Sequence, residues 1–371
     1  MKLPFIEPKP DKEWFRRVIL GEEMPERPPL IELFLDQEVL QKIAVDYLGL
    51  DWVPYQQEDK MLRAKYWDNY MTVYYNLGYD FVWIDGRIPF TTKVRKTEDT
   101  AENSKGTRKW DEEGQGPISS WEEYEAYPWP GEEDMDIWDC EYVSSHLPKG
   151  MGFFVFPCRG FMEVPTEILF GYENLCMLMY DEPELVEAVF ERVGQIEMKL
   201  YEKVVDLPNL MGFFPGDDMG FNTQTLISPD ALRKLVLPWH KKAAKLAHDH
   251  GLLYLLHSCG QISAIMEDLI EDVEIDGKHS FEDQILCIGD FKEMYGNRIA
   301  ALGGIDIDKI TRLSTDEVRE YVRGVIGKCL PMGRFALGTG NSVANYIPIE
   351  NYLAMVEEGL KWGKENEQCE V

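Results

Sequence analysis

Eight short, nearly continuous apolar runs, each followed by a helical pattern, constrain this chain more than any other feature. They are Pro29–Leu35, Tyr79–Ile84, Gly152–Phe156, Leu210–Pro215, Leu252–His257, Val273–His279, Arg298–Gly303 and Arg334–Leu337. Apolar strands alternating with helices are parallel strands covered on both faces. Eight such units close an α/β (β/α)8 TIM barrel, here a single domain over residues 1–371 with an N-terminal extension. An open doubly wound sheet is the competing fold, but no GxGxxG turn follows an early strand. The helices have readable edges. Ser228-Pro229-Asp230 supplies an N-cap, a first-turn Pro and an acid ahead of Leu232, Leu235, Val236, Trp239, Ala243, Leu246 and Ala247. Ser314 and Glu317 form a capping box before Val318, Tyr321, Val322, Val325 and Ile326.

The spacing breaks once, between the second and third runs. Residues 86–149 form a long insertion, expected to leave the C-terminal end of a strand and cover the barrel mouth as a lid. From Trp110 to Leu147 it holds 12 Asp/Glu, no Lys or Arg, and four of the chain's ten Trp. Disordered acidic tails are poor in aromatics, so an ordered excursion is expected, either a lid or a solvated structural flap.

The net charge of −29 argues against nucleic acid and against anionic membrane surfaces as partners. No apolar stretch reaches 18 residues, and the start lacks the apolar core of a signal peptide. Seven scattered Cys without a CxxC pair speak against a disulfide framework, so a cytoplasmic setting with reduced thiols is expected.

The sharpest chemical feature is Leu255-Leu256-His257-Ser258-Cys259-Gly260, at the end of the fifth run. His257 and Cys259 are two apart at a strand terminus, so both can leave the same side of the chain. Imidazole and thiolate together suit zinc, although a buried Cys beside a hydrogen-bonded His also arises by chance. The sixth run ends in Lys278-His279-Ser280-Phe281-Glu282-Asp283. Either Glu282 or His279 can reach as a third ligand, and a helix-capping role for Glu282-Asp283 is the plain alternative. Asp217 and Asp218 follow the fourth run between glycines; Asp218 leans toward bracing the loop, and Asp217 is the active-site candidate. Trp83, Asp85 and Arg87 at the second run, Arg159 after the third and Asn341 after the eighth stand where they can line the same mouth. Structural ion pairing is the alternative for Asp85 and the two arginines. His240, His248 and His250 read as surface or helix-end histidines.

From about Pro29 to Gly363 the order of motifs resembles the uroporphyrinogen decarboxylase superfamily. The match runs through Gly216-Asp217-Asp218, Ser228-Pro229-Asp230, His257-Ser258-Cys259-Gly260, Phe281-Glu282, Gly303-Gly304-Ile305-Asp306 and Gly338-Thr339-Gly340. The Arg-rich motif that grips porphyrinogen carboxylates in the decarboxylases is missing from Glu23–Pro29, which makes decarboxylation unexpected. The HxCG motif is instead similar to the corrinoid-dependent methyltransferase branch. That resemblance implies zinc on His257 and Cys259, joined by Glu282. The Cys that usually completes such a site at the end of the eighth strand is Thr339 here. The stretch Arg108-Lys109-Trp110-Asp111-Glu112-Glu113-Gly114 to Pro130 also looks like the first methyltransferase of aromatic O-demethylase systems.

The resemblance implies transfer of a methyl group from a methoxylated aromatic compound to the cobalt of a separate corrinoid protein. No Asp-x-His-x-x-Gly corrinoid motif is present, so the cobalamin belongs to a partner. Asp217 and Glu282 are the expected catalytic carboxylates. Trp83, Asp85, Phe281, His279 and Asn341 are expected at the substrate; a homodimer is compatible with this reading. Two other readings stand beside it. One is transfer from methylcorrinoid to a thiol such as coenzyme M, and the other is a non-catalytic binding protein.

Overall fold

The computed structural model describes residues 2–92, 94–98, 107–111, 116–157 and 159–363. Seven strands form a parallel, curled sheet: β1 (Phe81–Gly86), β4 (Gly152–Pro157), β5 (Leu210–Phe213), β6 (Leu253–His257), β7 (Gly277–His279), β8 (Ala300–Ile305) and β9 (Phe335–Thr339). Between β1 and β4 lies a two-stranded antiparallel hairpin, β2 (Val94–Glu98) and β3 (Thr107–Asp111). Strand order in the large sheet follows chain order without a reversal. A doubly wound sheet has a reversal point, so that alternative is set aside.

The first expected strand is not a strand. Pro29–Leu35 joins β9 through a bridge at Leu30 and Leu337, with hydrogen bonds Ile31 N–H to Leu337 O (2.8 Å) and Leu337 N–H to Pro29 O (2.8 Å). The ladder then stops for a chemical reason. The next donor, Thr339 N–H, is taken by the Glu32 side chain at 3.0 Å rather than by a backbone carbonyl. Pro28 and Pro29 have no N–H to extend pairing in the other direction. The sixth run is also shorter than expected: Leu269–Val273 is helical and only Gly277–His279 is strand.

Alternation along the strands sorts side chains between two cores. Ile31, Leu33, Phe81, Phe154, Met211, Leu253, Leu255, Leu302 and Ala336 fill the concave side. Phe15 and Ile19, from the helix Lys12–Ile19, join that inner cluster. This helix sits at the N-terminal end of the strands, where Lys12 N–H reaches Gly150 O and Asp11 N–H reaches Asp80 Oδ1. The opposite face is covered by helices whose ends follow the sequence signals. Ser228 caps Pro229–Leu235, and Ser314 with Glu317 forms the capping box of Thr315–Cys329. The single long helix read after the fourth run is two helices, Pro229–Leu235 and Leu237–Asp249. Pro238, at the start of the second, has no N–H to continue the first.

Within residues 86–149, Trp138–His146 is a helix with Cys140 and Val143 buried, in contact with β1 and β4. Ile118 N–H bonds to Leu169 O at 3.0 Å, and Tyr127 and Trp129 stack edge-on at 4.7 Å. Glu112, Glu113 and Gly114 of the aromatic O-demethylase-like stretch lie outside the described residues.

Candidate metal centre

The concave face carries its side chains up to the C-terminal ends of the strands. Along β6, Leu253 and Leu255 point inward, and the same alternation brings His257 in as the last strand residue. Cys259 follows two residues later. The chain after β5 runs alongside: His257 N–H donates to Pro215 O and Asp217 N–H to His257 O, both at 2.9 Å. In this extended stretch Asp217 and Asp218 face opposite ways. Asp218 turns toward β6, so that Asp218, His257 and Cys259 each offer a ligand atom, all within 4.8 Å of one another. The His257 Nε2 to Cys259 Sγ distance is 3.3 Å, and Nε2 to Asp218 Oδ1 is 3.6 Å. Asp218 Oδ1 also accepts the Cys259 N–H at 2.7 Å, which sets the thiol loop against the carboxylate. Gly260, at φ +76°, lies so close to Gly220 that any Cβ would meet backbone at 2.4 Å.

The hydrogen bonds assign the tautomer of His257. His279 Nε2 lies 3.0 Å from Thr339 O, a pure acceptor, so Nε2 carries the proton. His279 is fully buried and held neutral by that burial, which leaves Nδ1 as an acceptor. His257 Nδ1, 2.7 Å away, must donate to it. The lone pair of His257 Nε2 therefore faces Cys259 and Asp218. An imidazole oriented by a hydrogen bond at its other nitrogen is the arrangement found in metal-ligating histidines. Burial lowers the pKa of His257 to about 3, with Lys278 adding to the effect. Burial, together with the Asp218 charge, raises the Cys259 thiol to about 12. A carboxylate, a nitrogen lone pair and a sulfur converge at this point, beside the buried Lys278. A borderline divalent ion satisfies all three, and zinc accepts N, S and O ligands at tetrahedral sites.

Sequence spacing points to Asp217 at the site and Asp218 as a loop brace; in the structure it is Asp218 that faces His257 and Cys259. Asp217 is fully buried and points away, accepting from Met162 N–H (2.9 Å), Glu163 N–H (3.0 Å) and His240 Nε2 (2.8 Å). His240 is correspondingly not a surface residue. It is fully buried, and its Nδ1 lies 2.8 Å from the Tyr254 hydroxyl. Nothing in the spacing of His240 announces this, whereas the alternation after Pro215 would have turned Asp218 inward.

Glu282 is not part of the three-residue group. It borders a cavity of about 20 Å³ with Lys278 and Ser280, room for about one water. It also faces a larger cavity of about 690 Å³ that Asn341, Asp306 and Tyr346 line. Lys278 is buried, donates to Ser258 O and Ser280 O, and is lowered to about 8 by desolvation. Phe281 is buried against Phe291, with the Lys278 ammonium over its ring at 4.5 Å. His279 has both ring nitrogens engaged. Asn341 Nδ2 lies 3.3 Å from Cys259 Sγ.

On β1 the alternation that puts Phe81 in the inner cluster places Trp83 and then Asp85 above it. Trp83 is packed between Phe34 (5.6 Å) and Phe156 (5.1 Å), and its buried indole N–H has no partner among the described residues. A Cβ on Gly216 would meet Phe156 at 2.7 Å and His257 Cδ2 at 3.5 Å, so this aromatic wall adjoins the centre. Burial raises Asp85 to about 6, opposed by Arg87. Arg159 is ion-paired with Glu167.

Residues 157–362 match the uroporphyrinogen decarboxylase (URO-D) family. A methylated-thiol–coenzyme M methyltransferase of Methanosarcina mazei is 25% identical over 187 residues, 50% of this chain. That match spans 47% of the relative, about half its length. A solved methyltransferase from Methanosarcina mazei superposes with a TM-score of 0.66 at 15% identity, over 95% of this chain and 99% of that one. At that identity the likeness concerns the fold. No helix among the described residues is long and apolar enough to cross a membrane. The family match covers more than half of the chain and includes the whole run from Asp217 through Cys259 to Asn341, and on that ground the protein belongs to the uroporphyrinogen decarboxylase family.

Proposed function

We propose that the protein is a methyltransferase with a zinc centre on His257, Cys259 and Asp218, and that it moves a methyl group from an aryl methyl ether to the cobalt of a separate corrinoid protein. The observation that carries this reading is the convergence of those three ligand atoms within 4.8 Å at the C-terminal ends of the strands. Relatives that bear the name methyltransferase support the reaction class. When bound, zinc supplies Lewis acidity that offsets the charge on a departing phenolate oxygen.

The chain's own residues supply the rest. His279 fixes the ring of His257 so that Nε2 faces the centre. Asp218 holds the Cys259 loop through its backbone N–H. Phe34, Trp83 and Phe156 form an aromatic wall that suits a planar ring, and Asp85 above it orients ring hydroxyls. Asp217 braces the loop that carries Asp218. Glu282, beside Lys278, lines the opening through which the substrate enters.

Transfer between methylcorrinoid and a thiol is the second reading, favoured by the name of the Methanosarcina mazei relative. The test is a methyl-transfer assay with cob(I)alamin and either methoxybenzenes or methylated thiols as donors. Demethylation of the ethers alone supports the first reading, and demethylation of the thioethers alone supports the second. Full activity with methoxybenzenes in a metal-free Cys259→Ala protein would overturn the zinc assignment.

A further inference from the structure

The sulfur of Cys259 is the target of a hydrogen-bonded chain that begins at Glu32, in the Pro29–Leu35 segment beside β9. Asn341 Oδ1 accepts the Ser342 N–H at 2.8 Å. The amide orientation is fixed by that bond, so Nδ2 is the atom at 3.3 Å from Cys259 Sγ, and it donates. Ser280 Oγ donates to the same sulfur from 3.6 Å. Behind Asn341 stands Thr339, at the position where a sulfur ligand would be expected. Thr339 is fully buried, and its Oγ1 lies 2.6 Å from Asn341 O and 2.5 Å from Glu32 Oε2. A hydroxyl has one proton. The Asn341 carbonyl can only accept, so that proton goes to Asn341, and the short contact to Glu32 requires a proton on the carboxyl. Full burial of Glu32 raises its pKa to about 8, in keeping with this count. The other oxygen, Glu32 Oε1, accepts Thr339 N–H at 3.0 Å.

We infer that Glu32, in its protonated form, and Thr339 are positioning residues that lock the Asn341 backbone, so that the Asn341 amide N–H is held on the Cys259 sulfur. This rests on the reading of His257, Cys259 and Asp218 as a metal centre. The end of β9 thus contributes a hydrogen bond to the one sulfur ligand in place of a second sulfur. A thiolate that accepts N–H and O–H bonds donates less electron density to its metal, and the metal stays a stronger acceptor for oxygen.

The probe is Co2+ alone, bound to the purified full chain and read by its thiolate-to-cobalt absorption and by competition with a chelator. Asn341→Ala is expected to move the absorption to longer wavelength, as the sulfur regains electron density, and to change Co2+ affinity by roughly tenfold or more, the usual range for an outer partner of a ligand. Thr339→Val, which keeps the volume and removes the hydroxyl, is expected to shift the band in the same direction by less. Glu32→Gln reproduces the donor and acceptor of the protonated carboxyl and is expected to retain the wild-type band. A wild-type band and affinity in both Asn341→Ala and Thr339→Val would overturn the inference. Loss of the band in Glu32→Gln, with Thr339→Val unaffected, would also overturn it. Absence of any thiolate band in the wild-type chain would instead remove the metal-centre reading on which it stands.

Discussion

Asp217 and Asp218 are adjacent in sequence and face opposite ways, and the difference is one step of extended-chain alternation. Asp218→Ala removes an oxygen that faces His257 Nε2 and Cys259. Metal affinity is expected to fall by more than the roughly 10- to 100-fold cost of losing an outer partner, while the metal-free chain loses only the bond from the Cys259 N–H, about 1 kcal/mol. Asp217→Ala is expected to do the reverse. It orphans the buried N–H groups of Met162 and Glu163 and one nitrogen of His240, at about 1–3 kcal/mol each, so unfolding in urea shifts strongly. A Cys259→Ala chain that still binds zinc with wild-type affinity would contradict the same picture. At this scale the sequence was legible where spacing on a strand settles direction, as for His257 and Cys259. It was illegible for His240 and Glu32, whose partners lie 23 and 307 residues away. No local pattern encodes a contact of that kind.

Among the elements, the seven strands of the large sheet lie where short apolar runs were expected, because burial on both faces leaves a signal in every residue. The exception is instructive. Pro29–Leu35 is as apolar as the others but contains Glu32, and that side chain replaces the backbone acceptor at Thr339. Protonation of Glu32 gives the element a pH signature. Its folded-state pKa of about 8 lies above the ordinary glutamate value of 4.5. The folded chain therefore holds a proton that the unfolded chain releases between those values. Its contribution is complete below about pH 4.5 and is lost as pH rises through about 8. The wild type is expected to lose stability relative to Glu32→Gln over that interval, by at most about 1.4 kcal/mol per pH unit. Parallel slopes for the two proteins in pH-dependent urea unfolding would exclude a protonated Glu32. The helix Lys12–Ile19 is the other element with a distinct task, closing the N-terminal end of the inner core. Phe15→Ala, which empties a fully buried site beside Phe81 and Phe154, is expected to cost about 3–5 kcal/mol. A change below 1 kcal/mol in the urea midpoint analysis would deny it that role.

For the molecule as a whole, parallel strands carry Asp218, His257 and Cys259 to one rim, and the family match over residues 157–362 includes all three. Under the proposed reading, a chain of net charge −29 attracts a partner with a basic surface, so transfer to a corrinoid protein is expected to slow as salt is raised. A transfer rate independent of ionic strength between about 20 mM and 500 mM would rule out such steering. Everything at the rim depends on whether an ion belongs there. The direct measurement is the metal content of the full chain, purified without added zinc, beside that of Cys259→Ala prepared in parallel. Close to one zinc per wild-type chain and almost none in the variant is the expected result. A metal-free wild-type chain that fails to take up zinc, or equal zinc in both proteins, would contradict it.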